Sequence, residues 1–208
     1  MQQDLSSVVE LVIQLCKHFY ELGWMRFGRD QFLCPKDRVQ REFLTNDDLA
    51  LISLSEPEST QVELAPIFAY LIREKEAVAI IYSTSQAAVA ISTNTDEEFV
   101  ISDKEMIKGI PKGTPKDGYL SCFDTLRVPG MPKIFSLPSI DETVIENGDV
   151  ANILKSIQQV TQLNSSVNAV LIRGRGIIGW GVTWEKAKTQ MECYDYLLET
   201  SFRLQTWL

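Results

Sequence analysis

Histidine is almost missing from this chain: its 208 residues hold one, His18. A metal centre built on several imidazoles is therefore excluded. Cysteine is sparse as well. Cys16, Cys34, Cys122 and Cys193 lie far apart with no C-x-x-C pair, which supports neither a zinc site nor a disulfide framework. Each reads as a small buried hydrophobe. No apolar run is long enough to span a bilayer, and the opening Met1-Gln2-Gln3-Asp4 has no apolar leader core. These absences point to a reducing, cytoplasmic location without membrane contact. Positive charge is short too. A net charge of −8 argues against binding a phosphate backbone, which depends on clustered Lys and Arg. The basic run Arg26, Arg29, Lys36, Arg38 and Arg41 reads as a solvated loop face, so direct nucleic-acid binding is not expected.

What remains is ordinary globular material. A hydrophobic fraction of 45% beside 23% charge suits one compact domain over residues 1–208 with a sizeable core. Residues 5–22 place Val8, Leu11, Val12, Leu15, Cys16 and Phe19 on one helical face, with Ser6 or Ser7 as cap and Gly23 as stop. His18 falls beside that stripe with no partner residues for a metal. Residues 24–42 read as loop and short strand, and 46–48 as a turn into a strand over 49–54. A helix is expected at 65–75, with Pro66 tolerated in its first turn. The continuous apolar run 77–82 predicts a strand buried on both faces. Residues 83–85 supply a cap for a short helix over 86–91, and 103–110 form another short helix. Residues 119–138 hold strand material punctuated by Pro129, Pro132 and Pro138.

Toward the C-terminus Val150, Ile153, Leu154, Ile157, Val160 and Leu163 recur at helical spacing. Strands follow at 168–173 and 177–180. Thr183 then caps a long helix carrying Trp184, Ala187, Met191, Tyr194, Leu198 and Phe202. The closing Trp207-Leu208 predicts that this helix docks, in the favoured case into its own core and otherwise into a partner. Alternating strands and helices favour a layered α/β architecture.

Four blocks resemble the class II aldolase/adducin family, most closely its methylthioribulose-1-phosphate dehydratase branch of methionine salvage. They are 15–24, 77–90, 104–110 (Lys-Glu-Met-Ile-Lys-Gly-Ile) and 169–197, the last containing Trp184-Glu185-Lys186-Ala187 and Glu192-Cys193-Tyr194-Asp195-Tyr196-Leu197. The resemblance spans nearly the whole chain and implies a single-domain α/β/α fold with a central, mostly antiparallel sheet flanked by helices. It also implies oligomers, often tetramers, with the active site near a subunit boundary.

The functional positions depart from that pattern. Where the family places its first two zinc ligands in a His-x-His-Ser motif, this chain has Tyr82 and Thr84. The third ligand position, before a glycine, holds Arg175. The glycine-rich loop that cradles the substrate phosphate is replaced by residues 25–29, and the substrate-contacting motif before Pro66 reads Glu63-Leu64-Ala65. Glu105 alone survives of the catalytic set, as a vestige.

A catalytic zinc needs three lone-pair donors and an open position; a guanidinium stays protonated and offers none. No cofactor is therefore expected. Without the metal the family reaction loses its Lewis acid, and an isolated Glu105 supplies at most about 10²–10⁴-fold of acid–base help. Three uses of the pocket compete: an Arg175–Glu105 ion pair, an anion site formed by Arg175 and Lys108, or new chemistry by Glu105, Tyr82 and Arg175. Ordinary packing and solvation is the favoured account of Tyr82 and Thr84. The leading expectation is a non-catalytic relative serving as a protein-binding or scaffold subunit in a homo- or hetero-oligomer. The alternatives are a residual sugar-phosphate dehydratase or lyase, and a ribonucleoprotein-associated subunit.

Overall fold

A computed structural model describes residues 5–19, 22–27, 30–40, 43–58, 61–94, 98–112, 118–129, 147–163 and 167–206. The chain divides into two compact units, one formed by residues 1–83 and 180–188, the other by 84–179 and 189–208. Every described ladder is antiparallel, and helices alternate with strands in both units.

In the first unit, α1 (Leu5–Phe19) buries Val8, Val12 and Cys16, a row at i, i+4 and i+8. Both serines proposed as its cap lie inside the helix. Gly23 does not stop α1. It belongs to β1 (Leu22–Phe27), opposite Ile81. β1 is a central strand, pairing on one side with β2 (Gln31–Pro35) and on the other with β4 (Ala79–Ser83). β3 (Leu49–Ser53) pairs with β2 on the far side, following the 3-10 turn Asn46–Asp48. α2 (Ala65–Glu74) takes Pro66 in its first turn, where a missing N–H costs nothing, and buries Ile67, Phe68 and Leu71 completely. All five residues of β4 are buried, as a strand covered on both faces must be. The Val78 N–H donates to the Gly181 carbonyl (2.9 Å), tying the start of β4 to the end of β8 (Gly176–Gly181). Gly181 itself is dictated by close approach: a Cβ there would lie 2.6 Å from the Ala187 backbone nitrogen.

In the second unit, α3 (Gln86–Asn94) is capped by Ser85, whose Oγ accepts the Ala88 N–H at 3.3 Å. The predicted helix over 103–110 is a 3-10 turn, Glu105–Gly109. β5 (Glu98–Ile101) was not foreseen from the sequence. It pairs with β6 (Leu126–Pro129), burying Phe99 and Ile101 while Val100 faces outward. α4 (Asn147–Leu163) buries Val150, Ile153 and Ile157, but the stripe then moves to Thr161. Leu163 is 89% exposed, and the buried Thr161 hydroxyl is satisfied by the Ile157 carbonyl at 2.8 Å. β7 (Ala169–Ile172) and β8 form a hairpin. The portion of α5 (Trp184–Thr206) in this unit buries Met191, Cys193, Tyr194, Leu197 and Leu198. Trp207 and Leu208 lie outside the described residues, as do Pro132 and Pro138 of the 119–138 segment. No described helix is long and apolar enough to cross a membrane.

Candidate functional site

Tyr82 sits near the end of β4, opposite Leu22 in register, and is 8% exposed. It belongs to the first unit. Thr84, Glu105, Lys108 and Arg175 belong to the second. Thr84 is exposed in the link from β4 to α3.

Arg175 occupies the tight turn joining β7 to β8. Its N–H donates to the Ile172 carbonyl at 2.9 Å, and both flanking residues have positive φ, Gly174 at 68° and Gly176 at 122°. A side chain at either glycine would be strained, so the sequence Gly-Arg-Gly follows from the turn. Arg175 is half-buried.

Glu105 opens the 3-10 turn, and Lys108 lies three residues on. Their side chains form an ion pair at 2.5 Å while remaining 75% and 53% exposed respectively. The Glu105 carboxylate thus takes Lys108 as its partner, not Arg175 as one sequence expectation had it. The hydrogen bond and charge of Glu105 hold the Lys108 ammonium above the ordinary lysine range. Gly109 ends this turn against α5, so close that a Cβ would overlap the Cys193 sulfur. Burial in turn pushes the Cys193 thiol up.

The segment at the substrate-contacting position is occupied by backbone work. The Glu63 N–H donates to the Asp37 carboxylate at 2.6 Å, the Asp37 N–H donates to the Gln61 carbonyl at 2.7 Å, and Leu64 and Ala65 are buried. Burial outweighs that hydrogen bond and raises Asp37 above the usual carboxylate range. Residues 25–27, standing where a phosphate-cradling loop was expected, are ladder strand in β1. Gly28 and Arg29 lie outside the described residues.

These residues do not fit a zinc ion. At the three positions where the resemblance places zinc ligands, the chain offers a phenol, an alcohol and a guanidinium, of which the last has no lone pair. Among the described residues no three His, Cys, Asp or Glu side chains gather. Of the basic run, the Lys36 ammonium donates to the Asp47 carbonyl at 2.7 Å, and Arg38 sits at a positive φ of 63°. Arg29 and Arg41 fall outside the described residues.

One feature of the second unit escaped the sequence reading. A cleft of about 330 Å³ opens between the Ile110–Lys112 stretch, β6, the start of β7 and α5. Its polar lining includes Lys112, Arg127, Asn168 and Tyr194. Only non-local pairing brings these together, so no spacing in the chain announces it.

Residues 10–202 match the family described as Class II Aldolase and Adducin N-terminal domain. The chain is 48% identical over 213 residues to a methylthioribulose-1-phosphate dehydratase-like protein of Schizosaccharomyces pombe, covering 98% of this chain and 99% of that one. It is 33% identical to the methylthioribulose-1-phosphate dehydratase of Xenopus tropicalis, across 98% of this chain and 87% of the other. Among solved structures, L-fuculose-1-phosphate aldolase from Thermus thermophilus matches with a TM-score of 0.66 over 98% of both chains at 15% identity. That last likeness is one of fold.

Proposed function

Because this chain belongs to the class II aldolase and adducin family yet carries Arg175 where a zinc ligand is expected, we propose that it is a non-catalytic relative of methylthioribulose-1-phosphate dehydratase. Its role in this reading is to bind protein partners as a scaffold subunit, with itself or with another chain. The observation that carries the proposal is the arginine. A unit cation and a dication about 4 Å apart repel by roughly 8 kcal/mol at an effective dielectric of about 20, and neither Tyr82 nor Thr84 supplies an imidazole to offset it. Two further features support it. Glu105 is exposed and ion-paired with Lys108, and the phosphate-loop position is strand.

A second reading, retained dehydratase activity, is favoured by the full-length similarity to proteins bearing that name. Two measurements on purified protein separate them: zinc content by mass spectrometry, and turnover of methylthioribulose-1-phosphate. The scaffold reading expects zinc far below one per chain, no turnover, and co-purification with a defined partner or as a stable oligomer. Stoichiometric zinc or measurable turnover would overturn it.

A further inference from the structure

Ser55 stands in the bend that follows β3, and its side chain is exposed. Its N–H donates to the Ser53 Oγ at 3.3 Å, and the two hydroxyl oxygens lie 2.9 Å apart. The Ser55 hydroxyl is thus engaged only with another neutral hydroxyl, a contact that water replaces at little cost. Glu56 and Glu58 are exposed on either side of the buried Pro57, and neither takes a partner among the described residues.

Among the described residues outside helices and strands, four hydroxyls have an acidic side chain three positions on: Thr45, Ser55, Ser102 and Ser121. In three of them that acid is already spent. Asp48 accepts from the Thr45 N–H at 2.9 Å and from its hydroxyl at 2.8 Å. Glu105, beyond Ser102, is ion-paired with Lys108, and Asp124 accepts the Ser121 N–H at 2.7 Å. Ser55 alone of the four keeps its acid, Glu58, open to a partner that reads charge. A cation stands beside it as well. Arg73, near the end of α2, donates from Nη1 to the Leu54 carbonyl at 3.1 Å, which sets its guanidinium one peptide unit from Ser55. The Arg73 side chain is exposed, and its other N–H groups have no partner among the described residues. That fork of donors matches the oxygens of a phosphate. Opposing it are Glu56 and Asp30, whose carbonyl accepts the Leu54 N–H at 2.8 Å, so without Arg73 an added dianion meets like charge.

We propose that Ser55 is a phosphorylation site for a serine kinase that reads acidic residues on the C-terminal side of its target, and that Arg73 captures the attached phosphate and straps the bend to α2. The Ser55 oxygen loses its proton and forms a bond to the γ-phosphorus of a nucleoside triphosphate held by the kinase; the bond from that phosphorus to the β–γ bridging oxygen breaks, and the diphosphate leaves. Incubating the full chain with ATP and an acid-directed, casein-type serine kinase tests this, with a kinase that reads basic flanks run in parallel. Peptide mapping finds one phosphate per chain, on Ser55, from the acid-directed kinase alone, while Thr45, Ser102 and Ser121 stay unmodified. Glu58→Gln slows incorporation by about tenfold. The phosphorylated chain melts about 2–4 °C above the unmodified one. In Arg73→Gln the phosphate is still incorporated, but each chain is compared with its own unmodified form and the gain in Tm vanishes or changes sign. No phosphate on Ser55, equal labelling of the other three hydroxyls, an unchanged rate in Glu58→Gln, no gain in Tm, or a gain that survives in Arg73→Gln overturns the proposal.

Discussion

Gly109→Ala probes how the turn bearing Glu105 and Lys108 is fixed to α5. Gly109 does not need a left-handed φ, so alanine is not penalised by its backbone. The obstacle is steric alone: the new Cβ would overlap the Cys193 sulfur, which is buried at 4% exposure. Overpacking of this kind costs about 1–3 kcal/mol. Replacing glycine by alanine returns about 0.4–1 kcal/mol through the unfolded chain. The net expectation is a loss of about 1–2 kcal/mol, which for a chain of this length lowers Tm by about 2–8 °C. Chemical denaturation, fitted for midpoint and slope, measures it.

The decisive arm is the double-mutant cycle with Cys193→Ala. Removing the sulfur alone forfeits its packing and the hydrogen bond it accepts from the Gly109 N–H. In the Gly109→Ala background the same change clears the clash. The two losses should therefore fail to add by about 1 kcal/mol or more. Additivity within about 0.5 kcal/mol would mean that the turn is not pinned by this contact, and the steric account would be wrong.

Alkaline pH should unfold the protein earlier than its acidic composition suggests. Cys193 and Tyr194 both titrate above their ordinary values of 9.0 and 10.0 because they are buried. Their contribution to stability is thus complete below those values and declines as pH climbs through the folded-state range. Tyr194→Phe should remove the part of the decline that begins near pH 10, up to about 1.4 kcal/mol per pH unit, and an unchanged profile would contradict the burial of that phenol. Under native conditions iodoacetamide should modify the half-exposed Cys122 first, with Cys16, Cys34 and Cys193 protected until unfolding. Peptide mapping that finds Cys193 alkylated as fast as Cys122 would refute this.

Local signals carried the helices and most strands. Pro66 in a first turn, Ser85 before α3 and the apolar run at 77–82 each announce their element within a few residues. The failures are non-local. Leu22 and Gly23 read as the end of α1, and only the ladders with β2 and β4 place them in a strand. β5 is four residues long and gains definition from β6, a partner too distant for periodicity to reveal. Leu163 continues the heptad-like count of α4, but a 3.6-residue turn carries the buried face to Thr161 instead. The same limit applied to the sites. Glu105 and Lys108 are three residues apart and could be paired by inspection. Tyr194 was legible as a core residue, yet its place in the cleft depends on β6 and β7 lying beside one another.

On the proposed reading, the residues at the three positions where the resemblance places zinc ligands differ in their consequences. A hydroxyl in place of an imidazole subtracts a donor and leaves a weaker site, one that a further donor of the same kind would strengthen. A guanidinium changes the sign of the local charge and makes the remaining donors irrelevant. On that reading, the arginine at position 175 is by itself enough to keep a metal from that position. The Gly-Arg-Gly turn adds a constraint of its own. With both flanking glycines in left-handed backbone, Arg175 cannot be shifted along the hairpin without placing a side chain where φ is positive. The cation is thus held at its position by the turn.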